Sequence, residues 1–348
     1  MVEAHLRVQG RPLVRIGCDV DVPLIGAIAF GLIDRGTNVI QVRPISLCVL
    51  NCIFCSTDAG PKSRYRQAEY IIDLDLLVEW FKEIAKFKGD GIEAHIDTVG
   101  DPLLYNKIVD LVHELKNIRE VKVVSMQSHA PTLTEKLADK LDAAGLDRLN
   151  LSIDSLDPNL AKYLQGTEWY NAKRVMEVAE YIVKNTRIDL LLAPILLPGL
   201  NDHEIPKIIE WGLKIGVGKK WPPFGIQKFI RHKYGRKPKG VRDMSWREFY
   251  NYLRQLEKKY NVKLVCTPRD FGIHYKPIIP YRFKVNERVR VKTIAPGWLK
   301  GEVLAIPLGR VCDRVITVVN ASNIPLESKI TVRIIANKHN IYLAEPIA

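Results

Sequence analysis

The sequence predicts an α/β fold, with parallel strands covered by helices, carrying a small antiparallel β-barrel at its C-terminal end. Three observations predict it. Between residues 39 and 280, apolar runs of strand length alternate six times with amphipathic helical stripes, and such alternation specifies parallel strands joined by crossover helices. From Ile279-Pro280 onward the helical stripes stop, and short β-runs separated by Gly and Pro replace them, as in a compact antiparallel barrel. At 348 residues and 47% hydrophobic content the chain can form one large domain and a small appendage. The predicted division is an N-terminal β-rich extension at 1–38, a core at 39–280 and the small barrel at 281–348.

In the extension, residues 13–20 alternate like a strand, and Gly26, Gly31 and Asp34-Arg35-Gly36 punctuate the stretch from there to residue 38. A hairpin laid against one edge of the core is the expectation. Residues 39–45 form the first core strand, and the loop after it reads Cys48-Val49-Leu50-Asn51-Cys52-Ile53-Phe54-Cys55. Three thiols at this spacing can turn inward on one loop, and soft thiolates are the ligands selected by iron–sulfur clusters and zinc. Zinc wants a fourth Cys or His nearby, which residues 46–63 do not supply. A four-iron cube held by three cysteines keeps one iron open to a small molecule bearing an amine and a carboxylate. The remaining units are a helix at 74–87 with Leu76, Leu77, Trp80, Phe81 and Ile84 on one stripe, then strands at 92–98, 121–126, 149–153, 189–196 and 225–230. Helices at 106–116, 132–144, 171–184, 203–214 and 245–260 follow them in turn.

Cys48, Cys52 and Cys55, with Phe54 before the last, resemble the C-x3-C-x-aromatic-C signature of the radical S-adenosylmethionine (SAM) superfamily. The resemblance implies a partial (βα)6 TIM-like barrel, open on one side. It implies a [4Fe-4S] cluster whose open iron binds SAM, and reductive cleavage of SAM to a 5′-deoxyadenosyl radical. Phe54 then lies near the adenine. In parallel α/β folds the chemistry sits at the carboxyl ends of strands, and the family's other motifs have counterparts there. Gly100-Asp101-Pro102 is similar to the segment that receives the methionine amine. Ser152 and Asp154, two apart on a strand and so facing one way, are similar to the ribose motif. Gln127, Ser128 and His129 end the third strand, and His95 and Asp97 alternate on the second as barrel-interior candidates. The turn Pro198-Gly199-Leu200-Asn201-Asp202 reads as structural, with Asn201 or Asp202 capping the helix at 203. Ser155 and Asp157, before Pro158, read as caps or turn residues.

After the sixth strand comes a basic run with no acid among it: Lys228, Arg231, Lys233, Arg236, Lys237, Lys239 and Arg242, interleaved with Phe229 and Tyr234. A phosphate-contact loop and a solvated loop are both open readings. Lys62, Arg64 and Arg66 would extend the patch. The tail resembles a TRAM domain, a small RNA-binding barrel, in Gly301-Glu302-Val303, residues 314–318 and residues 330–334. A barrel that merely caps the core is the alternative.

A formal charge of +13 favours a polyanionic partner. The longest apolar run, residues 22–33, is too short to span a membrane. The first residues lack a secretory pattern, and the cysteine content then suits a reducing cytoplasm. Together these point to a radical SAM enzyme that modifies an RNA nucleoside, foremost in tRNA, served by a low-potential donor such as ferredoxin or flavodoxin. Methylation is preferred to sulfur insertion, with Cys18, Cys266 and Cys312 as scattered singletons. A peptide, protein or small metabolite as substrate, and an RNA-binding protein with structural zinc, stand as alternatives.

Overall fold

The structure is a computed structural model that describes residues 6–20, 22–309 and 312–347. Strands β1 (Leu6–Val8), β2 (Arg11–Ile16), β3 (Gly31–Asp34), β4 (Val39–Arg43) and β5 (Glu69–Ile72) precede helix α1 (Leu74–Lys88). Then come β6 (Ile92–Ile96), α2 (Ile108–Lys116), β7 (Val121–Ser128), α3 (Glu135–Ala144), β8 (Arg148–Leu151), α4 (Pro158–Gln165) and α5 (Ala172–Asn185). The core closes with β9 (Asp189–Leu192), β10 (Ile195–Leu196), α6 (Glu204–Ile215), β11 (Gln227–Lys228) and α7 (Trp246–Tyr260). The C-terminal strands are β12 (Arg288–Pro296), β13 (Val303–Pro307), β14 (Ile316–Val318), β15 (Lys329–Ala336) and β16 (Leu343–Pro346).

Strands β4, β6, β7, β8 and β9 pair in parallel in chain order. A bridge from Leu192 to Phe224 and the parallel pair β10–β11 add the sixth position. That is the open, partial (βα)6 barrel the resemblance implies. The leading edge differs from expectation. The hairpin β1–β2 forms, but it joins β5 in a separate sheet, and β3 pairs antiparallel with β4 at the edge instead. All four β3 residues are buried there.

Local chemistry starts and stops the helices. Thr134 accepts from the Leu137 N–H at the start of α3, and left-handed Gly145 ends it. Ser245 and Glu248 form a capping box on α7. Helix α4 is absent from the sequence reading because eight residues are too few for a periodic stripe to stand out. Its caps were legible: Asp157 accepts from the Leu160 N–H ahead of Pro158. The expected cap on α6 does not form, since that helix begins at Glu204 without a side-chain cap.

The tail closes into a five-stranded barrel in the order β12-β13-β14-β16-β15. It is not wholly antiparallel. Thr317 and Val318 pair in parallel with Leu343 and Ala344, because the connection from β14 to β15 crosses over and leaves β16 beside β14. This connectivity is that of an OB-type Greek-key barrel. Ile294, Ala295, Leu304 and Val315 merge with Leu24, Ile25 and Phe30 into one core. Tyr70 Oη donates to the Pro296 carbonyl at 2.7 Å, and the Val315 N–H donates to the Ile25 carbonyl at 2.9 Å. Gly26, at φ +130°, is obligatory in this seam: a Cβ there would lie 1.9 Å from the Val315 oxygen.

Candidate active site

The loop after β4 carries the three cysteines, and its backbone is fixed from outside. The N–H groups of Asn51 and Ile53 donate to the carbonyls of Gln165 and Leu164, both at 2.9 Å. These carbonyls are orphans at the end of α4, so helix end and loop satisfy each other. Gly100 presses against the other side, where a Cβ would meet the Leu47 oxygen at 2.0 Å. Gln9 Nε2, from the N-terminal hairpin, donates to the Cys48 carbonyl at 2.7 Å.

Two arginines lock the loop. Arg66 is fully buried, donates to the carbonyls of Ser46, Thr57 and Val99, pairs with Glu69 at 3.1 Å and packs on Trp298. It therefore cannot extend a surface patch, contrary to the sequence expectation. Arg236 likewise leaves the basic run: it pairs with buried Asp58 at 2.9 Å and donates to the carbonyls of Cys52 and Ala59.

Cys48, Cys52, Phe54, Cys55, Gly100, Asp101, Ser152 and Asp154 all line one cavity of about 330 Å³ at the carboxyl ends of the barrel strands. Gln127, Ser128, His129 and Asp97 line it too. Burial, then the charge of Asp101, pushes the Cys48 thiol up to about 12, and burial raises Cys52 well above its ordinary value. Both are thus neutral thiols until a metal displaces the proton. Among the described residues no three His, Cys, Asp or Glu side chains close in as they must around a single metal ion. A four-iron cube spreads its thiolates over separate irons, which three inward-facing thiols on one loop suit.

Asp101 accepts from Ser128 Oγ at 2.9 Å and from the N–H groups of Leu103 and His129. Three of its roughly four lone-pair positions are therefore filled. Asp154 accepts from the Ile195 N–H at 2.8 Å and Gln165 Nε2 at 2.9 Å, leaving acceptor capacity toward the cavity. Burial raises both carboxyls, and proximity of His129 partly offsets it. The His129 Nδ1 lies 3.6 Å from Asp154, and its ring centre is 6.2 Å from that of Phe54. Gln165, which the sequence did not flag, also reaches the Cys52 sulfur at 2.7 Å. Asn201 is structural as expected, but as a staple: its Nδ2 donates to the carbonyls of Asp154 and Ile195.

His95 and Asp97 do face the barrel interior. Asp97 accepts from Gln41 Nε2 at 2.7 Å, while His95 meets Ser125, which donates to Glu93 above its partner Arg148. The basic run is divided by the fold. Lys228 and His232 line the cavity mouth; Arg231 pairs with Asp243 and Arg242 with Glu248; Lys237 and Lys239 point to a different groove. None of Cys18, Cys266 and Cys312 is among the residues that line the cavity. No helix among the described residues is long and apolar enough to cross a membrane.

Comparison with known proteins agrees with this site. The family model described as the Radical SAM superfamily matches residues 42–212. An uncharacterised protein of Methanocaldococcus jannaschii is 44% identical over 345 residues, covering 93% of this chain and 78% of its own length. A probable GTP 3′,8-cyclase of Methanococcus aeolicus is 30% identical over 53% of this chain, and the match spans 58% of the cyclase. Among solved structures, Streptococcus suis SuiB bound to S-adenosylmethionine shares the fold at a TM-score of 0.51 and 14% identity, over 65% of this chain and 48% of SuiB. The cysteine loop, the barrel that carries it and the family match leave one conclusion: residues 42–212 form a domain of the radical SAM superfamily, whose members bind a [4Fe-4S] cluster and S-adenosylmethionine.

Proposed function

We propose that this radical SAM enzyme abstracts hydrogen from a nucleoside unit of RNA, foremost tRNA. Cys48, Cys52 and Cys55 hold the cluster, Phe54 and His129 flank the adenine, Ser152 and Asp154 take the ribose, and Gly100 with Asp101 shapes the turn that receives the amine. When bound, cluster and SAM supply a carbon radical able to break C–H bonds that no side-chain base can deprotonate. The protein's own residues bind, orient and exclude water.

The observation that carries the substrate class is the cavity lining, which includes Lys228 and His232 and no arginine; Lys228 Nζ also donates to the Phe229 carbonyl and lies over the Trp246 ring. A phosphate at the mouth is the ligand they suit. Extension to RNA rests on the barrel. Its outward strands place Arg288 opposite Arg333 and Lys292 opposite Lys329, a cationic face on which a polyanion can lie. Arg333 and Lys292 have Glu345 and Glu327; Arg288, Arg290 and Lys329 are exposed.

A free purine nucleotide is the second reading. The relative named for GTP favours it, and so does the docking seam, which buries part of the barrel surface that OB-type folds use for nucleic acid. Nucleosides from tRNA of cells with and without the gene, compared by mass spectrometry, separate the two. A modified nucleoside lost with the gene supports RNA; identical nucleosides, with tRNA binding that ignores salt, reject it. Anaerobic reconstitution should give a brown protein that releases 5′-deoxyadenosine, and Cys52→Ala should abolish that release while leaving tRNA binding intact.

A further inference from the structure

A second concavity, of about 530 Å³, lies against the outer side of the cysteine loop. Its floor includes Asn51 and Ile53, the two neighbours of Cys52, while Cys48, Cys52, Phe54 and Cys55 face the cavity. The segment from the end of β11 onward repeats the division: Lys228 and His232 line the cavity, whereas residues 235–239 line the groove. One thickness of chain therefore separates the groove from the thiols.

The groove is strongly cationic. Lys62, Arg64, Lys237 and Lys239 are exposed on its walls, and no hydrogen bond or ion pair engages their charged ends among the described residues. Its acid, Asp58, is buried, paired with Arg236 and already accepts from Ser63 Oγ and the N–H groups of Arg64 and Tyr65. Tyr65 and Tyr163 are exposed beside the cations, an aromatic and basic mixture that suits a transient protein interface.

We propose that this groove docks a small acidic redox protein of the flavodoxin or ferredoxin kind, which reduces the cluster through the loop. The inference rests on the radical SAM reading above. One electron leaves the donor's reduced flavin or iron–sulfur centre and reduces the cluster by one; no bond forms and no proton moves. Electron tunnelling falls off steeply with distance, so the thin wall is where a donor gains most. A donor seated outside the loop also leaves the cavity mouth free for substrate. Nucleic acid in the groove would instead lie behind the wall, away from the mouth it must enter.

The test uses the reconstituted full chain and the variant K62A/R64A/K237A/K239A, with an acidic flavodoxin and an acidic ferredoxin as probes. Titration calorimetry should show wild-type binding that weakens steeply between 50 and 300 mM salt, and at least about tenfold weaker binding by the variant. Release of 5′-deoxyadenosine should fall at least about tenfold in the variant when the donor protein supplies electrons, and stay within about twofold with dithionite. Equal donor-driven rates and equal donor affinity in the two proteins overturn the proposal. So does loss of tRNA binding by the variant with donor binding retained, which assigns the groove to nucleic acid. Absence of dithionite-driven cleavage in the wild type would count against the radical SAM reading instead, while donor titration still reports on the groove.

Discussion

Arg66 shows how one side chain can hold a site it never enters. It ties the carbonyls of Ser46, Thr57 and Val99 to buried Glu69. Arg66→Met leaves Glu69 with Arg11 as its one cation and strands the carbonyls of Ser46 and Thr57, while the Val99 carbonyl keeps the Thr57 hydroxyl. The expected loss is about 3–5 kcal/mol, read by urea unfolding, with fewer irons bound per chain after reconstitution. Unchanged stability would mean the loop is set by its backbone bonds alone. Gln165→Leu should alter the spectroscopic signature of the reconstituted cluster before it alters folding, because Gln165 touches both Cys52 and Asp154; an unchanged electron paramagnetic resonance spectrum with SAM bound would exclude that contact. The cysteines, Phe54, Gly100, Asp101, Ser152 and Asp154 were legible because each sits in a short local pattern. Arg66, Gln165 and Arg236 were not, since their partners come from distant segments and a lone Arg or Gln carries no spacing to read.

Among the elements, α6 supports the loop after β8 through its first residue. Glu204 is buried and takes donors from Lys207, Ser155 Oγ and the N–H groups of Leu156 and Asp157. Burial alone would raise its carboxyl, but these donors outweigh it and hold the group down at about 2. The folded value lies below the unfolded one of about 4.5, so its contribution is complete above about pH 4.5 and fades as pH falls toward 2. Glu204→Gln should therefore cost about 1–3 kcal/mol at neutral pH, and the gap to wild type should close in acid. Parallel stability curves down to pH 2 would contradict this. Most strands and helices were legible because parallel strands buried on both faces read as apolar runs. The placement of β3 and of the hairpin was not, because pairing partners are a tertiary choice.

For the molecule as a whole, the C-terminal barrel is part of the core rather than a hanging module. Its Ile294, Leu304 and Val315 cover Leu24, Ile25 and Phe30. Leu304→Ala should cost about 2–5 kcal/mol, and calorimetry should still show one transition if both parts share a core. Gly26→Val, which drives a side chain into the Val315 carbonyl, should split that transition into two. A single unshifted melt would show the seam to be soft. The barrel's existence was legible from β-runs and turns; its docking was not, because an outward apolar residue on a strand looks the same whether water or another domain faces it.

The meeting of Ile25 with Val315 also orders events in time. During synthesis the stretch at 22–30 emerges first and stays bare until the ribosome has delivered residues far downstream, so this chain presents an adhesive patch throughout its elongation. Holding chaperones should be needed most by nascent chains stalled before residue 294.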